Sequence, residues 1–188
     1  MTTTITKKQF IINTAADLFK EKGYSATSIR DLAAKVGIEP SSIYSHIRSK
    51  EDLLSEICMS CALRFTEGIN QIFDQDISPR KKMKALIQLH LEIAFDEPAS
   101  VTVFNDEWRY LHEPIMTEFL ALRKEYERKF KKILTEGKKV GKFDFHNVDI
   151  VFMIIIKMLS WSHTAIKKFQ REELEAELTA FIVKTLNK

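Results

Sequence analysis

Hydrophobic positions recur along this chain at intervals of three and four. Ile29, Leu32, Ala33 and Val36 stand at i, i+3, i+4 and i+7, one apolar stripe of a helix opening at a Thr27-Ser28 cap. Upstream, Phe10, Ala15, Leu18 and Phe19 predict an amphipathic helix. Downstream, Leu53, Leu54, Ile57, Cys61, Phe65 and Ile72 predict one from Ser49 to about Asp74. Ser78-Pro79 opens another, carrying Met83, Leu86, Ile87 and His90 toward Phe95, and Asp96-Glu97-Pro98 breaks it. Pro114 opens a long helix to about Glu136, ended by Gly137 and Gly141, with Met116, Phe119, Leu120, Tyr126, Phe130 and Ile133 as its apolar set. Two further helical patterns span 148–169 and 172–186, the first apolar over more than one stripe, the second carrying Leu174, Leu178, Phe181, Ile182 and Leu186. No alternating run bounded by hairpin signals interrupts them, and five glycines and four prolines are few. The fold class is therefore all-α, with about nine helices.

The stretch 27–50 carries the most chemistry. Gly37 stops the first of its helices, because only glycine takes the left-handed conformation of a helix C-terminus at little cost. Three residues later Pro40 supplies the preset φ of a first helical turn. A turn this short is the connection of a DNA-binding helix-turn-helix, whose second helix enters the major groove by its N-terminal end. The second helix turns Ile43 and Ile47 inward and leaves Tyr44, Ser45, His46 and Arg48 outward. Ser49-Lys50-Glu51-Asp52 then resembles a capping box, setting Lys50 at a helix N-terminus that already favours a phosphate.

An ordered set of motifs between about residues 10 and 54 resembles the DNA-binding domain of the TetR (tetracycline repressor-like) family of transcriptional regulators. It comprises Ala15-Ala16-Asp17-Leu18-Phe19, Lys22-Gly23-Tyr24, Ala26-Thr27-Ser28-Ile29, Leu32-Ala33, Gly37, Ile43-Tyr44, His46 and Ser49-Lys50-Glu51-Asp52-Leu53-Leu54. The resemblance implies a three-helix DNA-binding domain at 1–50 and a helical ligand-binding and dimerisation domain at 51–188. It also implies phosphate contacts from Thr27, Tyr44, His46 and Lys50, with Ser28 and the helix start Glu39, Pro40, Ser41 and Ser42 completing the DNA-binding set. Two positions depart from the family pattern: Glu39 stands where a serine is usual, and Ile47 where an aromatic residue is usual. A carboxylate at position 39 repels phosphate but can accept a hydrogen bond from cytosine N4, so the operator sequence stays open.

Charge agrees with that division. Residues 1–50 hold eight basic and four acidic side chains, a net of +4, whereas the other 138 hold 21 and 22, a net of −1. Lys7 and Lys8 read either as an arm reaching phosphates or, preferably, as a solvated tail.

In the body, residues 100–111 set Val101, Phe104, Trp108 and Leu111 on one helical face with Asn105, Arg109 and His112 beside it. An aromatic stripe of this kind is equally core or the wall of a small-molecule site. The family holds an effector in its helical body, which points to Phe104, Trp108, Arg109, Leu111, Phe119 and Tyr126 as ligand-binding residues. Residues 107–111 resemble a segment of members answering to fatty-acyl or other lipophilic ligands. The two C-terminal helices imply a homodimer through a four-helix bundle and hence a palindromic double-stranded DNA operator.

Other classes find little support. There is no H-E-x-x-H, G-x-S-x-G or phosphate loop, so neither an enzyme nor a cofactor is expected. Cys58 and Cys61 form a C-x-x-C pair inside a helix without βαβ context or a second pair, and packing is preferred to metal or redox chemistry. The run 150–156 is short for a bilayer and is flanked by Asp149 and Lys157, and residues 1–10 carry no continuous apolar core. A cytoplasmic protein with no membrane partner is expected. A regulator whose body binds a partner protein is the alternative, and a small helical enzyme a remote one.

Overall fold

Helix boundaries in the computed structural model, which describes residues 5–186, fall largely where cap chemistry puts them. Thr6 caps α1 (Lys7–Lys22), its hydroxyl accepting from the Gln9 amide. Ser28 and Asp31 form a reciprocal capping box on α2 (Ile29–Val36), and Gly37 closes it in the left-handed conformation at φ 79°. Pro40 begins α3 (Pro40–Ile43), one short turn continued by bonds from His46 and Ile47 amides to the Ile43 carbonyl. Ser49 accepts from the Asp52 amide at the head of α4 (Lys50–Asp74).

The body follows as α5 (Pro79–Asp96), α6 (Pro98–Asp106), α7 (Ile115–Lys139), α8 (Val148–Ala165) and α9 (Arg171–Leu186). All described residues are helical, turn or loop, as the patterning predicts.

Three boundaries differ from expectation. The helix expected over 100–111 stops at Asp106, and Trp108–Tyr110 forms a separate 3-10 turn. The first C-terminal helix ends at Ala165 rather than 169. Gly137 lies inside α7, where its missing side chain makes room for Phe143: a Cβ there would lie 2.0 Å from the buried ring. The chain reverses only at Gly141, φ 68°.

The chain forms two compact units, and they do not divide at residue 50. The first comprises Met1–Cys61 with Ala99–Phe119, and the second Ala62–Pro98 with Leu120–Lys188. Segment 99–119 thus joins the unit of the first three helices, because its aromatic residues pack there. The core of the first unit gathers Ile11, Ala15, Phe19, Leu32, Ile43, Leu53, Leu54 and Ile57. Cys58 and Cys61 are buried within it, and burial pushes the Cys58 thiol well above its ordinary range, with Cys61 and Glu107 adding to the shift. In the second unit α5 packs on α8 and α9 over Met83, Leu86, Ile87, Leu91, Leu159, Leu178 and Ile182.

Helix α8 is 18 residues long with mean hydropathy 1.4 and only 28% buried, the one helix among the described residues long and apolar enough to cross a membrane. The seven-residue run at 150–156 therefore lies in the N-terminal half of a longer apolar helix.

Candidate nucleic-acid interface

The face expected to meet DNA is carried by α3 and the turn before it. Glu39 is extended at φ −67°, ψ 145°, as a residue before proline must be, and its side chain makes no capping bond. Ile43 and Ile47 are buried beneath, which turns Ser41, Tyr44, Ser45 and Arg48 out to solvent with Glu39, while Pro40, Ser42 and His46 are half-buried. Ser28 is exposed, but its hydroxyl is engaged with Asp31. Those bonds, followed by Lys22, pull the Asp31 carboxyl down to about 2.

Two of the residues expected to contact phosphate have partners within the fold. Thr27 is 3% exposed, and its hydroxyl donates to the Gly23 carbonyl at 2.8 Å. A threonine placed just before a helix cap satisfies the loop that precedes it before it can reach outward. Lys50 is half-buried, and its ammonium donates to the carbonyls of Tyr24 at 3.1 Å and Thr27 at 3.0 Å. It also lies 4.2 Å above the Tyr24 ring. Two of its three donors therefore hold the α1–α2 loop onto α4.

Tyr24 stands in one of the quoted motifs but received no role from it. It is buried, edge-on to Phe19 at 5.2 Å, and its hydroxyl donates to Glu51 at 3.4 Å. Burial, then the Glu51 charge, push that hydroxyl up to about 12. The signal available in the sequence was its place in Lys22-Gly23-Tyr24, an aromatic following a glycine at a helix end.

Of the six expected ligand residues, the first unit brings five into one neighbourhood of sequence and three into direct ring contact. Trp108 stacks on Phe119 with centroids 5.8 Å apart and planes at 24°, and Phe104 meets Phe119 edge-on at 5.6 Å. The Arg109 guanidinium covers Trp108 at 4.8 Å from an exposed position, while Leu111 is buried. Tyr126 belongs to the second unit, where it is buried with Phe65, Phe130 and His90. Helical spacing alone could not separate these sets, because α7 contributes Phe119 to one unit and Tyr126 to the other.

Residues 11–57 match the family model described as bacterial regulatory proteins of the tetR family, and residues 76–164 match a tetracyclin repressor-like C-terminal domain. The HTH-type transcriptional repressor KstR2 of Mycolicibacterium smegmatis is 30% identical over 152 residues, covering 79% of this chain and 74% of that protein. The chain belongs to the TetR family of transcriptional regulators. Solved structures of such regulators share its fold. KstR2 of Mycobacterium tuberculosis, titled a ketosteroid transcriptional regulator, superposes with a TM-score of 0.88 at 21% identity, over 97% of this chain and 96% of that one. AibR, solved with isovaleryl coenzyme A and operator DNA, gives 0.80 at 19% identity, over 94% and 97%. This TetR-family chain is thus a DNA-binding transcriptional regulator, and KstR2 of Mycolicibacterium smegmatis is named a transcriptional repressor.

Proposed function

We propose that this regulator acts in the cytoplasm as a homodimer on a palindromic operator and is released by a small lipophilic effector, fatty-acyl compounds being the class favoured. The observation that carries the dimer is an uncovered apolar face. Ile150, Met153, Ile154 and Trp161 on α8 and Phe181 on α9 are each 52–62% exposed. Beside them runs a groove of about 410 Å³ lined by Ile150, Ile154, Met158, Phe181 and Leu186 among others. Contiguous apolar surface of this kind marks an interface, and a second copy of the same face covers it by two-fold symmetry. Such a dimer would carry two α3 helices to successive major grooves, with Tyr44, His46 and the third donor of Lys50 on phosphates and Glu39 to Ser42 on base edges.

The effector reading draws support from the Phe104, Trp108 and Phe119 rings with Arg109 beside them, apolar area next to a cation that suits an acyl chain with an anionic head. AibR, a structural neighbour, is known with an acyl thioester. Release needs a differential affinity of about 3 to 5 kcal/mol between the two conformations. Burial of about 120 to 200 Å² of apolar ligand surface supplies that.

Sedimentation and duplex binding test the proposal together. The chain should sediment as a dimer and select a palindrome from a randomised duplex library, and Phe181→Asp should give monomers that bind DNA weakly. A panel of acyl-coenzyme A thioesters added to the complex should release the duplex, and Trp108→Ala should blunt that release. A monomeric chain, or selection of an asymmetric site, would refute the dimer. Release by no member of the panel would refute the acyl class.

A further inference from the structure

The loop 23–27 between α1 and α2 is held from three sides. Phe19 packs against the Tyr24 ring from α1, Lys50 grips the loop's carbonyls from α4, and the third side belongs to segment 99–119 of the same compact unit. There the Tyr110 ring lies 5.3 Å from the Tyr24 ring. A Glu107 carboxylate oxygen stands 3.7 Å from where a Cβ on Gly23 would be, at a residue whose φ of 84° favours glycine. The loop has no slack on its far side: Thr27, whose carbonyl Lys50 holds, is followed at once by the Ser28 cap of α2. A displacement of Tyr24 is therefore delivered to α2, and through the short turn at Gly37 to α3.

At its other end Tyr110 is tied to Trp108. Both lie in one 3-10 turn, closed by bonds from the Tyr110 amide to the Glu107 carbonyl at 3.0 Å and from the Leu111 amide to the Trp108 carbonyl at 3.1 Å. Such a turn repeats every three residues, and these bonds tie the placement of Tyr110 to that of Trp108. Trp108 is stacked on Phe119, so any change in that stack moves the base of Tyr110. Tyr110 itself is 45% exposed and lies outside the buried core.

We propose that Tyr110 is the positioning residue through which the Trp108 stack and the α1–α2 loop set each other's conformation, by way of its ring contact with Tyr24. The inference rests on the reading of the chain as an operator-binding regulator. Coupling between two sites is reciprocal, so DNA engaging the head must alter the surroundings of Trp108 even when no effector is present.

That reciprocity supplies the test. The chain has two tryptophans, Trp108 and Trp161, so full-length protein carrying 5-fluorotryptophan gives two fluorine resonances, and Trp108→Phe identifies the first by removing it. The probe is a duplex selected by the parent protein from a randomised library. Saturating duplex should move the Trp108 resonance in the parent and in Tyr110→Phe, which keeps the ring, and leave it at its DNA-free position in Tyr110→Ala. Tyr110→Ala should bind the duplex within about threefold of the parent, below the 5- to 150-fold range of typical couplings. Amide hydrogen exchange over residues 107–111 in unlabelled protein should gain or lose protection in the same pattern. An unmoved Trp108 resonance in the saturated parent, or a Tyr110→Ala response equal to the parent's, overturns the proposal. Outright loss of duplex binding in Tyr110→Ala also overturns it, since the ring would then be part of the head's own fold. A parent that selects no duplex defeats the operator reading as well, which separates the two failures.

Discussion

His90 and Tyr126 share a 2.7 Å hydrogen bond between side chains that are both buried, with the Phe65 ring tilted at 38° and 4.7 Å from the imidazole. Burial drives the His90 imidazole down from 6.5 to about 3, so it is neutral in the folded chain at ordinary pH. The unfolded chain takes up a proton near pH 6.5 and the folded chain does not. Stability from this site is thus whole above pH 6.5 and declines as pH falls from 6.5 toward 3, by about 2 kcal/mol at pH 5. Denaturant melts across that range should show the loss, and His90→Gln should flatten it. An unchanged slope in His90→Gln would assign the pH dependence to other groups.

Lys50→Met keeps the aliphatic stem and removes the ammonium that holds the carbonyls of Tyr24 and Thr27. Stability should fall by about 1 to 3 kcal/mol in equilibrium unfolding. Since two of the three donors are already engaged, the slope of log affinity against log salt should fall by less than the ~0.9 of a full phosphate contact. A full-unit change with stability intact would show that the ammonium leaves the loop for DNA.

Thr27→Val is nearly isosteric and deletes only the hydroxyl bonded to Gly23. The expected result is a loss of about 1 to 2 kcal/mol of stability, with no change in the salt dependence of DNA binding. Weaker binding at unchanged stability would show that the Thr27 hydroxyl contacts phosphate.

Gly137→Ala should destabilise, although alanine is the better helix former by about 1 kcal/mol. The added methyl would collide with Phe143, whose backbone amide also bonds the Gly137 carbonyl at 3.1 Å. Overpacking of this kind costs about 1 to 3 kcal/mol, enough to reverse the sign. A raised melting temperature would mean that Phe143 moves aside freely.

The features legible in the sequence were those that local chemistry decides. Ser28, Gly37 and Pro40 act through their own backbone and nearest neighbours, and α2, the turn and α3 lie where those residues put them. The periodic apolar sets of α4 and α5 are buried as their spacing requires. What periodicity misses is where a long or bifunctional side chain ends. Lys50 finds carbonyls 23 and 26 residues earlier, and Thr27 turns its hydroxyl back into the loop. Neither choice leaves a mark on spacing. The helix over 100–111 failed for a related reason. Its stripe continues past Asp106, but Trp108 and Tyr110 are each held by a ring elsewhere in the fold, and the backbone tightens to reach both.

The outward face of α8 has a consequence for gene dosage. On the dimer reading, when most chains are single the concentration of the DNA-competent form rises with the square of chain concentration. Operator occupancy then depends on how much of the protein a cell makes as well as on how much effector it holds. A mutation that trims Trp161 or Phe181 would shift that threshold without touching a single residue that meets DNA or ligand.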